Sequence, residues 1–281
     1  MRGRGALVTG AARRVGRAIA EALAADGWFV CVHYNGSGEE AEALVRALRE
    51  QGASAAALQA DLADAPSTEG LIDAAASAAG GLGCLVNNAS LFENDDLAGM
   101  TAGSWDRNMA VNLRAPALLS RDFARLVGDD PGGEGQGCIV NMLDQKLWNL
   151  NPDFLSYTVA KAGLQALTEM LAMALAPHIR VCGIAPGLLL PSGKMTQAGF
   201  ERAHVRTPLG YGPTVPEIVQ ALRLILATPS LTGQTLTVDA GESLQRRAKD
   251  VQFDGWPPDS AHREPASSGS VATPNGQADD A

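Results

Sequence analysis

Ala6-Leu7-Val8-Thr9-Gly10-Ala11-Ala12-Arg13-Arg14-Val15-Gly16 passes from an apolar, strand-like run through a glycine turn into an amphipathic segment. Gly10 and Gly16 fall at the strand-to-helix junction. There a tight turn and a helix N-terminus aim backbone N–H groups at an anion such as a pyrophosphate. Because it follows the first strand and precedes a helix, the turn reads as a dinucleotide site, with a plain strand-to-helix turn as the alternative. Working outward, strand-like runs are expected at about residues 5–9, 28–34, 54–59, 83–87, 137–142, 179–185 and 234–238. Helical stretches are expected between them, at about 14–26, 38–51, 66–79, 104–127, 154–176 and 214–227. This alternation predicts an α/β fold with a doubly wound parallel sheet of about seven strands and helices on both faces. Phe29-Val30-Cys31-Val32 and Cys138-Ile139-Val140 are continuously apolar, as strands covered on both faces require.

With 281 residues, 46% hydrophobic and 19% charged, the chain can bury one sizeable core. The expected layout is one catalytic domain over 1–245 and a largely disordered tail over 246–281, rich in Pro, Ser, Gly and Asp, with little apolar content beyond Val251, Phe253 and Trp256, a stretch that either packs on the body or a neighbouring subunit or frays. Asp129 to Gly135 is a polar, glycine-rich loop before the fifth strand. A net charge of -9 argues against a general nucleic-acid surface, since phosphate binding needs clustered Lys and Arg. No stretch of eighteen uncharged apolar residues appears, and a soluble, cytoplasmic protein without a membrane partner is expected. Cys31, Cys84, Cys138 and Cys182 lie in separate strand-like runs without metal-ligand spacing and are expected to be buried free thiols.

The end of the second strand reports on the cofactor. An Asp or Glu there bonds the ribose hydroxyls of NAD and repels a 2′-phosphate. This chain has His33-Tyr34-Asn35-Gly36-Ser37 instead, with Arg13 and Arg14 in the neighbouring turn able to meet a phosphate. NADPH/NADP is therefore expected over NADH, with the arginines as solvated helix-start cations the plainer alternative. Asp61-Leu62 and Asn88-Ala89-Ser90 follow the third and fourth strands, at the sheet edge where ligands bind, although an Asn-Asn pair is also an ordinary turn.

Tyr157 and Lys161 share one face of a helix through their four-residue spacing. A cation there is expected to lower the phenol pKa toward the working range. Asp144 stands thirteen residues before the tyrosine. Together with Thr9-Gly10-x3-Arg14-x-Gly16, Asn87-Asn88-Ala89, Asn112, Pro186-Gly187 and Thr232-Gly233-Gln234-x3-Val238-Asp239, the pair Tyr157-x3-Lys161 resembles the short-chain dehydrogenase/reductase family over residues 5–244. The resemblance implies a Rossmann-type domain, often tetrameric. It also implies active-site roles for Asn112, Tyr157 and Lys161, with Lys161 on the nicotinamide ribose, Asn112 holding a water that links Lys161 to solvent, and Pro186, Gly187 and Leu188 beside the cofactor.

Within the family, Arg14, His33-Tyr34, Asn88-Ala89-Ser90-Leu91-Phe92 and Asn141-Met142-Leu143-Asp144 are most similar to pteridine reductases, which carry aspartate where relatives carry serine. That similarity implies a pterin-like substrate against Phe92, with Ser90 and Arg14 holding oxygens of ligand and cofactor. A basic residue often seen near Asn35 is missing, and Lys146 to Phe154 shows no pterin-specific feature. The expected reaction is hydride transfer to a C=N carbon, with Tyr157 as proton donor and Asp144 supporting it. Asp144 also has a plain reading as a turn cap, and Phe92 as a core residue. Two other functions stay open: a carbonyl or hydroxyl oxidoreductase, such as a 3-oxoacyl thioester reductase, and an NADP-binding regulatory protein with little turnover. The loop from Leu188 to Pro208 is expected to cover the substrate.

Overall fold

A computed structural model describes residues 4–128, 137–191 and 193–255. The loop expected at 129–135 lies outside the described residues, as does most of the expected tail, from 256 on. Seven strands form one sheet: β1 (Gly5–Val8), β2 (Phe29–Tyr34), β3 (Ala55–Gln59), β4 (Cys84–Asn87), β5 (Gly137–Met142), β6 (Ile179–Pro186) and β7 (Thr235–Val238). Their order is β3-β2-β1-β4-β5-β6-β7 and every pairing is parallel. The order reverses between β1 and β4, so a crevice opens at their carboxyl ends, where ligands of open α/β sheets bind.

The helices are α1 (Arg14–Ala25), α2 (Gly38–Glu50), α3 (Ala65–Thr68), α4 (Leu71–Ala79), α5 (Ala102–Met109), α6 (Ala115–Gly128), α7 (Leu155–Ala174), α8 (Gln197–His204) and α9 (Val215–Ala227). Two apolar cores form, one on each face of the sheet. Ile19, Leu23, Leu44 and Ile225 pack with alternate strand residues on one face; Leu71, Leu119 and Phe123 pack with Leu7, Leu85 and Ile139 on the other. The four cysteines are buried and free. None of the described helices is long and apolar enough to cross a membrane.

Three segments differ from the periodicity reading. The helix expected over 66–79 is broken in two, because Gly70 takes a left-handed conformation with φ 79°. The helix expected over 104–127 widens to a π-turn at Ala110–Arg114, between α5 and α6. The loop expected from Leu188 to Pro208 contains α8, whose start is capped by the Thr196 hydroxyl accepting from the Gly199 N–H at 3.0 Å.

Candidate active site

At the switch point, Asn88 Nδ2 donates to the Thr9 carbonyl at 2.8 Å, and the Asn88 N–H donates to Thr9 Oγ1 at 2.9 Å. These bonds lock the ends of β1 and β4 together and shape the glycine turn. A Cβ on Gly16 would lie 2.3 Å from the Gly10 carbonyl oxygen and 2.5 Å from Asn88 Nδ2, so only glycine allows this approach. The Gly10 N–H donates to His33 Nδ1 at 3.0 Å, while His33 Nε2 lies 3.1 Å from the Ala60 carbonyl. The ring is thus neutral with its proton on Nε2, and burial lowers its pKa to about 4. His33 was expected to touch the cofactor; its ring is instead spent inside the protein, where it supports the glycine turn.

Arg13 pairs with Glu40, whereas Arg14, at φ 55°, reaches across to donate to the Pro191 carbonyl at 2.9 Å. Tyr34 is half-buried, Asn35 is exposed, and Ser37 precedes α2 without a side-chain cap bond. Asp61 accepts from the Ala63 N–H at 2.9 Å in a local turn, and Leu62 is buried.

A buried relay couples α7 to the sheet. Asn87 Nδ2 donates to Asn141 Oδ1 at 2.8 Å, Asn141 Nδ2 donates to Thr168 Oγ1 at 2.9 Å, and Thr168 donates to the Leu164 carbonyl at 2.7 Å. The start of α7 is tied down by Asp95, which accepts from the Ser156 N–H at 3.0 Å and from the Ser156 hydroxyl. Gly163 lets α7 approach the π-turn, since a Cβ there would meet Leu113 Cδ2 at 2.8 Å. Tyr157 and Lys161 are therefore held rigidly.

The Tyr157 hydroxyl donates to Asp144 Oδ2 at 2.6 Å, and Asp144 Oδ1 accepts from the Lys146 N–H at 2.8 Å. Asp144 thus caps the short 3-10 turn Gln145–Trp148 and bonds the tyrosine at once. Lys161 Nζ donates to the Met142 carbonyl at 2.6 Å and lies 5.7 Å from the Tyr157 ring centroid.

The electrostatics correct one expectation. Tyr157 was expected to have its pKa lowered by Lys161; burial, reinforced by the Asp144 charge, raises it well above the ordinary value. Burial also raises Asp144 and lowers Lys161 to about 8. Tyr157 is accordingly kept as a phenol.

The Asn112 amide lies in the π-turn and serves the 90s loop. Its Oδ1 accepts from the Ser90 hydroxyl at 3.1 Å and the Leu91 N–H at 3.0 Å; its Nδ2 donates to the Leu91 carbonyl at 2.9 Å. Phe92 stacks on Phe154 at 4.2 Å and meets Tyr157 edge-on at 4.6 Å. Phe154 holds a left-handed φ of 54° and stacks in turn on Phe253 at 5.8 Å.

These groups face one cavity of about 320 Å³. Arg14, Val15, Asn88, Ser90, Phe92, Asp144, Tyr157, Lys161, Pro186, Gly187 and Leu188 all line it. Gly10, Arg13, Gly16, His33, Tyr34, Asn35, Ser37, Asp61, Leu62, Ala89 and Asn112 do not line it, and stand at the glycine turn, the strand ends or behind the wall. Among the cavity residues, Gln145, Glu242 and Asp250 carried no readable sequence signal. Lys146 Nζ donates to Asp250 Oδ2 at 2.7 Å and to Asn151 Oδ1, and so anchors the segment around Asp250 to the cavity wall. The apolar Val251 and Phe253 were the one hint that this segment packs.

Residues 4–201 match the family model described as short chain dehydrogenase. The chain is 34% identical over 280 residues to pteridine reductase 1 of Leishmania tarentolae, covering 86% of this chain and 96% of that protein. It is 31% identical over 242 residues to the 3-oxoacyl-[acyl-carrier-protein] reductase FabG of Staphylococcus aureus, covering 84% and 96%. The crystal structure of FolM alternative dihydrofolate reductase 1 from Brucella suis in complex with NADP superposes with a TM-score of 0.82 at 40% identity, over 86% of this chain and 96% of that one. The protein belongs to the short-chain dehydrogenase family and, within it, is similar to pteridine reductases.

Proposed function

We propose that the protein is an NADPH-dependent reductase of a dihydropterin or dihydrofolate-type ring. The observation that carries this reading is the 2.6 Å bond between the Tyr157 hydroxyl and Asp144 in a cavity bounded by Phe92. The similarity to a pteridine reductase and to an alternative dihydrofolate reductase crystallised with NADP supports it.

The residues present fit the cofactor. A Cβ at Gly16 would strike the Gly10 carbonyl and Asn88, so the turn at the start of α1 keeps the tight glycine geometry that a pyrophosphate site needs, and no acid stands at the end of β2 to repel a 2′-phosphate. Gly10, Val15, Gly16 and the N-terminus of α1 would take the phosphates. Arg13, Arg14, Tyr34, Asn35 and Ser37 would surround the 2′-phosphate, Asp61 and Leu62 the adenine. Asn88, Ala89, Ser90, Lys161 and the Pro186-Gly187-Leu188 stretch would hold the nicotinamide half. NADPH supplies a hydride when bound.

The chain's own residues supply the proton. Tyr157, kept as a phenol by burial and by Asp144, delivers it to the ring nitrogen next to the reduced carbon. Asp144 accepts from the Tyr157 hydroxyl as a carboxylate and fixes the phenol oxygen in place, and solvent restores the phenol proton after it has been given up. The Lys161 cation would hold ribose hydroxyls and would steady negative charge on the phenol. Phe92, backed by Phe154, offers a flat face to the ring.

Similarity to a 3-oxoacyl reductase favours a second reading, carbonyl reduction. Asp144 counts against it, because a carboxylate beside the tyrosine repels a developing oxyanion. Asp144→Ser lowers dihydropterin turnover under our reading, and an unchanged rate would remove Asp144 from the mechanism. We also propose a homotetramer acting in the cytoplasm. Val159, Met170 and Met173 leave an apolar stripe exposed on α7, and light scattering tests the association.

A further inference from the structure

The chain after β6 is tied over the cavity at two points. The Leu188 N–H donates to Glu242 Oε2 at 2.9 Å, and three residues later the Pro191 carbonyl accepts from Arg14 Nη1 at 2.9 Å. Leu188, Leu189 and Leu190, between these ties, line the cavity. Glu242 lies in the 3-10 turn Glu242–Leu244 after β7 and is 1% exposed. Its Oε1 accepts from Gln145 Nε2 at 3.1 Å, and Gln145 opens the turn that Asp144 caps. One carboxyl therefore joins the Leu188 wall to the turn that carries the partner of Tyr157. Gly187 makes room for it, since a Cβ there would lie 2.7 Å from Glu242 Oε2 and 3.0 Å from Asp239 Cα.

Burying a carboxyl is costly, and an apolar side chain would fill the same space without that cost. The Glu242 carboxyl bonds the Leu188 N–H and Gln145 Nε2, both in the cavity wall, which gives the acid a purpose there. Burial raises its pKa to about 7; the Leu188 N–H and Arg247 oppose the rise, while Asp144 and Asp250 add to it. The carboxyl therefore holds its proton to a higher pH than an exposed glutamate does.

We propose that Glu242 is a positioning residue: through Leu188 and Gln145 it fixes the Leu188–Leu190 wall and so sets the affinity for the ring substrate, not the rate of proton delivery. The choice of substrate rests on the reductase reading above, whereas the tie itself does not.

The test uses the full chain with Glu242→Leu and Glu242→Gln. Glutamine keeps an oxygen for the Leu188 N–H and can offer an N–H to Gln145 Oε1, which is buried without a hydrogen-bond partner. With NADPH and dihydrobiopterin, Glu242→Leu should raise KM about tenfold, as expected for one lost charge-assisted hydrogen bond, with kcat changed less than about twofold. Glu242→Gln should restore KM to within about twofold and remove a pH dependence of KM centred near 7. Amide hydrogen exchange across 187–191 should quicken in the leucine variant alone. Wild-type KM and exchange in Glu242→Leu would overturn the proposal, as would equal losses in both variants. If the leucine variant does not fold, a pH dependence of KM that survives in Glu242→Gln overturns it. If the wild type does not reduce dihydrobiopterin, the substrate reading falls, and exchange across 187–191 alone decides the tie.

Discussion

Lys146→Met is the sharpest test of how the segment around Asp250 is held on the body. The Lys146 and Asp250 side chains are 3% and 9% exposed and lie 2.7 Å apart. At an effective dielectric of about 20, their gross attraction is about 6 kcal/mol. Desolvation of both ions offsets most of that, so the pair as a whole contributes little net stability. Removing the cation alone is different. Asp250 would keep the Gln252 N–H bond to Oδ1 but lose its charge partner, and Asn151 Oδ1 would lose its ammonium donor. The expected cost is about 3–5 kcal/mol, a fall of about 1–1.5 M in the urea midpoint for a chain of this size. Lys146→Met/Asp250→Met should recover all but about 1 kcal/mol, because no buried charge is then left alone. Urea unfolding of the four members of this cycle measures the coupling. A single-variant cost below about 1 kcal/mol, or a double variant as damaged as the sum of the singles, would refute the reasoning.

Tyr157→Phe should cut reduction by about 10²- to 10⁴-fold while NADPH still binds, and retained turnover would show that the proton comes from elsewhere. The Lys161 amine, lowered from 10.5 to about 8, loses its charge as pH rises through 8, so kcat/KM should fall above that pH. Lys161→Met should abolish turnover yet add up to about 3 kcal/mol of stability at pH 7, read by urea unfolding, since the folded chain there holds a charge it disfavours. The Glu242 carboxyl moves the other way, from 4.5 to about 7; it binds its proton more tightly in the folded state, so its contribution is full below 4.5 and lost as pH rises through 7. Glu242→Gln should therefore raise stability by up to about 3 kcal/mol at pH 8 and change it little at pH 4.5, in a pH series of urea midpoints. Asn35→Asp should weaken NADPH relative to NADH in fluorescence titrations, and equal affinities would mean that the 2′-phosphate lies elsewhere.

The sheet was legible because Phe29-Val30-Cys31-Val32 of β2 and Cys138-Ile139-Val140 of β5 are unbroken apolar runs and the glycine turn marks where β1 ends. Tyr157 and Lys161 were legible because a helix converts a spacing of four into a shared face. Glu242 was not, for it meets Gln145 across 97 residues of chain and its altered pKa comes from burial that no local pattern encodes. The direction of the Tyr157 shift was misread for the same reason: sequence spacing placed the cation but could not weigh it against desolvation and the Asp144 charge. Gly70 and the π-turn at Ala110–Arg114 interrupt helices whose apolar periodicity runs past them, so the breaks were invisible to periodicity.

The central claim is that Asp144 beside Tyr157 directs this site to a ring C=N. The measurement that tests it most directly is NADPH oxidation by the wild-type chain with dihydrobiopterin, dihydrofolate and an acetoacetyl thioester, compared as kcat/KM. The account predicts that one or both ring substrates turn over and the thioester is slower by at least about 10²-fold, the scale of a misplaced charge at an oxyanion site. Turnover of the thioester alone would contradict it.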